Sequence, residues 1–228
     1  MNNSSPSEFD NYVDSYEDAL KQSMPSAFTE NEYFAQYKIN YIARKLGKQK
    51  PTSFLDFGCG IGRSISIINQ QFPQTELWGY DISSQSIEAA RMRTKKAQFT
   101  NDLNDFPFGK FDVIFAANVF HHIPLSERIS ALTRCKQLLA KNGRLFLFEH
   151  NPFNPVTRLV FERCPYDKDA VMLKKQEVLQ LAEKVGLNVT KSSYTLFFPR
   201  PLALFRPLER ILGWLPMGAQ YCVEMTKG

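Results

Sequence analysis

The sequence predicts an α/β protein, a three-layer sandwich around a seven-stranded, mostly parallel sheet whose last strand runs antiparallel, with a helical segment in front. Three observations carry that prediction. From residue 53 onward, short apolar runs alternate with helix-length amphipathic stretches, the pattern of strands joined by crossover helices. The strands hand their carboxyl ends to polar residues, at Asp56, Asp81, Asp102, Asn118 and Glu149. The final two runs are joined without a full helical crossover, which suits an antiparallel hairpin at the sheet's edge.

A chain of 228 residues with 43% apolar content can bury the core of one such domain. We expect a helical lid over residues 1–50 and a ligand-binding domain over 51–228, with 199–216 as an amphipathic insertion. The opening Met1 to Ser7 is polar, and no window of 18 uninterrupted apolar residues follows, so a cytoplasmic location is expected. Cys59, Cys135, Cys164 and Cys222 are scattered without CxxC pairing, which suggests neither a zinc site nor a disulfide framework. The formal charge of +5 sits in the last third: residues 1–140 hold 15 basic and 15 acidic side chains, residues 141–228 hold 13 and 8. Such asymmetry suits an acidic substrate or a membrane surface, and less often nucleic acid, unless it is only a solvated basic face.

Two helices are expected before the sheet, Glu8 to Gln22 and Thr29 to Leu46. Thr29 with Glu32 forms a capping pair, and Tyr33, Phe34, Tyr37, Tyr41 and Ile42 make an apolar stripe at helical spacing. Helices ahead of the first strand read as a lid over the carboxyl edge of the sheet, with Tyr12 and Tyr16 either lining its pocket or buried as core aromatics.

The first strand runs into Asp56-Phe57-Gly58-Cys59-Gly60-Ile61-Gly62-Arg63. Glycine at every second position lets the backbone bend sharply and approach a ligand, and Asp56 sets a negative charge at the strand's end. A phosphate-binding loop would need Lys-Ser or Lys-Thr after the last glycine, where Arg63-Ser64 stands. A dinucleotide fingerprint would need a small residue where Arg63 is, and Asp56 would repel a pyrophosphate. A cationic nucleoside remains. Beyond the loop we expect a helix from Gly62 to Phe72, a strand from Glu76 to Tyr80 ending in Asp81, and a helix from Ser83 to Arg93. A third strand follows over Ala97 to Thr100, then a fourth over Phe111 to Ala117 leading into Asn118-Val119-Phe120-His121-His122. Leu125 to Ala140 reads as a helix, Asn142-Gly143 as a turn, and Arg144 to Phe148 as a fifth strand. The long irregular stretch from Asn151 to Leu173 is of the kind that is usually functional. Lys174 to Val185 is a helix capped by Gly186, Asn188 to Phe198 a strand, and Ala219 to Thr226 the last strand. Pro207 can start a short helix with Leu208, Ile211, Leu212 and Leu215 on one face, either interfacial or packed on the sheet.

Asp-x-Gly-x-Gly-x-Gly from Asp56 to Gly62 resembles the first motif of class I S-adenosylmethionine-dependent methyltransferases, which have a Rossmann-like fold. The resemblance covers Ser53 to Phe148 by motif and the remainder by topology. It implies S-adenosyl-L-methionine as cofactor, with Asp56, Gly58, Gly60 and Gly62 at the methionine end. It also implies Asp81 on the ribose, Ile82 against adenine, Asp102 and Leu103 near the adenine amino group, and Asn118 beside the methionine end. The run Glu149-His150-Asn151-Pro152-Phe153-Asn154-Pro155 is similar to that of a bacterial subgroup associated with cell-surface or secondary metabolites. The acceptor would then be a small or lipid-linked molecule, methylated at oxygen or nitrogen, with membrane contact through 199–216 and no obligate protein partner. Methyl transfer is an in-line displacement, so holding the reacting atoms collinear does most of the work. For a hydroxyl acceptor, His121, His122, Glu149 or His150 could take the proton, unless the paired histidines only pack inward. No metal is expected, because Glu149 and His150 are adjacent and leave a strand in opposite directions. Two other classes stay open. A nucleic-acid methyltransferase would want an Asn/Asp-Pro-Pro-aromatic segment, which Asn118-Val119-Phe120-His121 lacks. A protein that binds the cofactor without turnover is the other.

Overall fold

The computed structural model describes residues 31–227. The expected helix Glu8 to Gln22, the cap at Thr29 and the pocket candidates Tyr12 and Tyr16 lie outside the described residues. Within them the chain runs α1 (Asn31–Leu46), β1 (Ser53–Phe57), α2 (Arg63–Gln71), β2 (Glu76–Tyr80), α3 (Ser84–Arg93), β3 (Gln98–Thr100) and β4 (Phe111–Ala117). It continues with α4 (Arg128–Leu138), β5 (Leu139–His150), α5 (Pro155–Arg163), α6 (Lys175–Val185), β6 (Leu187–Thr195) and β7 (Gln220–Lys227). The seven strands form one sheet in the order β3-β2-β1-β4-β5-β7-β6. Strands β1 to β5 pair in parallel, and β7 pairs antiparallel with both β5 and β6.

The period-two alternation of the strands divides the core in two. Leu55, Ile114, Ala116, Leu145, Leu147, Tyr221 and Val223 turn to one face and pack under α4 and α6 through Leu132, Leu138, Val178 and Ala182. Their chain neighbours Phe54, Val113, Phe115, Phe146, Phe148 and Cys222 turn to the other, where α1, α2 and α3 cover them with Ile39, Ile42, Ile65, Ile68 and Ile87. The helix α1 is therefore part of this layer over Ile39 to Leu46, while Glu32, Phe34, Ala35 and Lys38 at its amino-terminal half line the cavity described below.

Three sequence expectations change. The stretch from Asn151 to Leu173, expected to be irregular, contains α5, started by Pro155 and capped by the Asn154 side chain, which accepts from the Thr157 amide. The helix expected over Leu125 to Ala140 is α4, three residues shorter at its start, and Leu139 already belongs to β5. The Asn142-Gly143 turn lies inside that twelve-residue strand, where the pairing with β4 jumps from Phe111↔Leu139 to Val113↔Arg144. The amphipathic helix expected to start at Pro207 is absent. Pro207 instead sits inside a 3-10 element, Arg200–Arg210, that is kinked at Leu202. Prolines at 201 and 207 remove backbone donors, and the tighter, shorter 3-10 turns tolerate that better than a continuous α-helix. Among the described residues no helix is long and apolar enough to cross a membrane.

The irregular stretch before α6 is tied to the sheet by Tyr221, whose buried hydroxyl donates to the Leu173 carbonyl at 2.9 Å. Tyr221→Phe leaves that carbonyl without its donor and should cost about 1–2 kcal/mol in urea unfolding, with the slope of the transition unchanged. A variant as stable as the wild type would show that this bond contributes nothing.

Candidate functional site

Strand order reverses between β1 and β4, so the chain leaves those neighbours toward opposite sides and opens a crevice beyond their carboxyl ends. A cavity of about 1800 Å³ occupies this position. Its two ends carry different chemistry.

At the first end, Gly58, Gly60 and Ile61 line the cavity, followed by Arg63 and Ser64 from the start of α2. Gly58 has φ +78, and a Cβ there would meet Val119 Cγ2 at 2.3 Å. Gly60 has φ +50 and nothing within 4 Å of where a Cβ would stand, so its missing side chain leaves open space. Gly62 does not line the cavity; it precedes α2 and faces Ala90 and Phe99, so its smallness serves helix packing. Asp81 holds the loop, accepting from the Gly60 amide at 2.8 Å through Oδ2 and from the Ser83 amide at 3.0 Å through Oδ1. Ile82 is 65% exposed and lines the wall beside it. Leu103 and Asn104 line the far wall, whereas the Asp102 carboxylate is turned onto the Asn104 amide at 2.8 Å and does not line the cavity.

Two buried ionisable groups stand near the middle of the cavity: Lys38 lines it, whereas Asp56 lies behind the wall and does not. Asp56 is 3% exposed and its Oδ2 has no hydrogen-bond partner among the described residues. Burial, and then the negative charge of Asp81, push its carboxyl up to about 7. Lys38 is 6% exposed, lines the cavity and makes no ion pair among the described residues. Burial lowers it to about 8, against the pull of Glu149 and Asp56. Sequence reasoning missed Lys38, yet the signal was present: position 38 falls on the same helical stripe as Phe34, Tyr41 and Ile42.

At the second end the chain gathers all three of its histidines. Asn118, in the left-handed region at φ 59, turns the backbone sharply after β4, and its side chain accepts from Gln220 at 3.1 Å. The following loop is pinned by Glu149, which is buried behind it and does not line the cavity. Its Oε1 accepts the Val119 and Phe120 amides at 3.0 and 2.7 Å, and its Oε2 meets His121 Nδ1 at 2.6 Å. His121 Nε2 lies 3.4 Å from Asp167 Oδ1, and His122 Nε2 lies 3.4 Å from the same oxygen. The His150 ring centroid is 5.2 Å from that of His121, and Phe161 meets both rings edge-on. Burial opposes a charge on His121, but Glu149 and Asp167 outweigh it and raise the ring to about 9. Burial and the His121 charge hold His122 and His150 down at about 4. Of the four predicted catalytic residues, three face the cavity and Glu149 supports them from behind. Asp167, which the sequence reading did not single out, sits in the irregular stretch whose length had marked it as functional. That stretch is held against the site by the Val171 amide on the His121 carbonyl at 2.9 Å and by Arg128 on the Val171 carbonyl at 2.9 Å.

Residues 55–145, spanning the glycine loop through β4 and into β5, match the family model of a methyltransferase domain. Over those residues the chain is similar to methyltransferase domains. It is 33% identical over 107 residues to the demethylmenaquinone methyltransferase of Thermotoga maritima, 46% of each chain. It is 31% identical over 139 residues to the trans-aconitate 2-methyltransferase of Methylobacterium radiotolerans, covering 60% of this chain and 53% of that one. The matched region thus spans about half the length of these curated relatives. In structure it resembles a SAM-dependent methyltransferase of Thermotoga maritima with a TM-score of 0.66 at 18% identity, over 96% of this chain and 98% of that one. The cofactor of this domain class is S-adenosylmethionine. Its amino-acid end, cationic at one group and anionic at the other, fits a region where, among the described residues, a buried Asp56 oxygen accepts no hydrogen bond and Lys38 makes no ion pair, near the open space at Gly60.

The two glycines separate fold from binding. Gly60→Ala, projecting into open space, should leave the chain folded with a loss of about 1 kcal/mol from the left-handed backbone, while ligand affinity at the cavity falls sharply. Gly58→Ala, colliding with Val119, should lower stability in thermal unfolding more than Gly60→Ala does. The reverse order of stabilities would place the open space at the wrong glycine.

Proposed function

We propose that the protein transfers the methyl group of S-adenosylmethionine to an oxygen or nitrogen of a small, amphiphilic or lipid-linked acceptor. The observation that carries this reading is one cavity joining the glycine loop and Asp81 at one end to the histidine cluster at the other, with Lys38 lining it between them and Asp56 buried behind the glycine loop. When bound, the cofactor supplies an electrophilic methyl group on a sulfonium. The residues of the chain do the rest. Asp81, already fixed by two backbone donors, has acceptor capacity left for the ribose hydroxyls. Ile82 and Leu103 pack on the adenine, and Asn104 takes the place the sequence reading gave to Asp102 at its polar edge. Asp56 receives the methionine ammonium and Lys38 its carboxylate, so each buried charge gains the partner it lacks. Asn118 closes the methionine end. His122, with its side chain 21% exposed the most open of the His121–His122 pair, takes up the acceptor's proton as the bond forms. Glu149 positions this cluster rather than touching the acceptor.

The acceptor's character is read from the cavity's rim. Leu196, Phe197 and Phe198 line it and lead into the 3-10 element, which Glu209 anchors by accepting the Phe197 and Phe198 amides at 3.1 Å. The outward side of that segment exposes Leu204, Phe205, Leu208, Ile211, Trp214 and Met217, with Arg200 and Arg210 also at the surface. Phe153 and Val156 are exposed near by, where Asn154 bonds the Met217 carbonyl at 2.7 Å. Apolar and basic groups beside a mostly apolar cavity suit an anionic membrane surface that presents the acceptor.

Calorimetry with S-adenosylhomocysteine tests the cofactor reading. Asp81→Ala and Lys38→Met should each weaken binding roughly 10- to 150-fold, the value of a hydrogen bond to a charged group. Wild-type affinity should be highest between about pH 7 and 8, falling below as Asp56 gains a proton and above as Lys38 loses one. A wild type that binds nothing overturns the assignment. For the rim, co-sedimentation with anionic vesicles should fall with salt and with Leu204→Glu plus Trp214→Glu. Wild-type protein that stays in the supernatant at low salt points to a freely diffusing acceptor.

A further inference from the structure

We propose that His121, His150 and Asp167 form a binding site for one divalent transition-metal ion, zinc being the best match, at the acceptor end of the cavity. The donors lie close enough to share an ion: one ligand atom from each residue falls within 4.8 Å of the others. The His121 Nε2 to Asp167 Oδ1 separation is already 3.4 Å. That is about the edge of a tetrahedron whose centre lies about 2.0–2.1 Å from nitrogen and carboxylate oxygen, as at zinc. His150 offers the third ligand atom from the end of β5.

The surroundings also have the form of a metal site. A ligating histidine is usually held by a carboxylate on its other ring nitrogen, which fixes the ring and aims the free nitrogen at the ion. Glu149 does this for His121 at 2.6 Å, and is itself fixed by the Val119 and Phe120 amides. Phe161 lies edge-on to both imidazoles, giving the nitrogen donors an apolar flank. Two nitrogens and one carboxylate favour zinc or a neighbouring transition metal over magnesium or calcium, which prefer oxygen. All three residues line the cavity, so an ion held by them keeps a position open toward it. Three protein ligands with one open position is the arrangement of a catalytic rather than a structural zinc. The inference rests on the proposed function in one respect only: the open position faces the acceptor, where the ion would polarise an acceptor oxygen or nitrogen. Ion binding itself does not depend on that reading. The sequence alone could not suggest the site, since its ligands come from the loop after β4, the end of β5 and the turn after α5.

The test is direct. Chelator-stripped protein is titrated with zinc chloride by calorimetry and in competition with a chromophoric indicator, and zinc per chain is measured by elemental analysis. We expect one equivalent. His150→Asn and Asp167→Asn should each weaken it by more than the roughly 10- to 100-fold typical of losing an orienting carboxylate, and Glu149→Gln by about that amount. Thermal unfolding of each variant without zinc checks that it folds, and a variant that does not fold is replaced by His150→Gln or Asp167→Ser. Substoichiometric zinc in the wild type, or unchanged affinity in folded His150 and Asp167 variants, overturns the proposal. S-adenosylhomocysteine binding on the same sample separates the two readings. Cofactor binding without zinc binding refutes the metal site alone, while zinc binding without cofactor binding refutes the proposed function and leaves the site standing.

Discussion

Everything at the site depends on the parallel pairing of β1 with both β2 and β4. Phe57 stands in register with Tyr80 on one side and with Ala116 on the other, and Ala117 with Phe148 beyond it. Parallel strands in register end at the same edge, so the glycine loop, Asp81, Asn118 and His150 emerge within reach of one another although the chain visits them at long intervals. Because the connections leave β1 and β4 toward opposite faces, a crevice opens at that edge, walled by the amino-terminal half of α1 and by α5. The cavity follows from topology before any side chain is chosen.

The second dependence is electrostatic. Glu149 is a buried carboxylate, and such a group is tolerated only when its lone pairs are satisfied. Two backbone amides and one imidazole do so, and in satisfying it they fix the loop that carries Asn118, His121 and His122. The negative charges of Glu149 and Asp167 then keep His121 charged, and the His121 charge in turn helps to keep its two histidine neighbours neutral. Lys38 feels the pull of Glu149, yet among the described residues it makes no ion pair and Asp56 Oδ2 accepts no hydrogen bond. The histidine end of the cavity is thus held by charges of both signs, while Lys38 and Asp56 bring one charge of each sign to its middle.

The rim follows the same logic in reverse. Glu209 is buried to hold the 3-10 element against the end of β6, and Arg206 packs over the Tyr33 ring on α1. With its polar groups turned inward to make these anchors, the segment leaves Leu204, Ile211 and Trp214 facing out. The sequence's helical wheel placed Leu208, Ile211, Leu212 and Leu215 together on one face, but the element ends at Arg210, before that face could form.

By itself the sequence determined the number and succession of the strands and the ligand-binding turn, because hydrophobic period and glycine placement are local properties of the chain, but it missed helix α5 and over half the length of β5. β2 and β4 occupy the residues expected, Gly186 caps its helix in the left-handed region, and Asp81 stands where the strand pattern put it. Tertiary structure alone decided which polar residues face the cavity. It turned Asp102 onto its own backbone, gave Gly62 to helix packing, drew Lys38 inward from an apolar stripe and set Asp167 against two histidines. Those outcomes depend on how segments far apart in the chain are brought together; of them, local periodicity records only the inward face of Lys38, and not the cavity it lines.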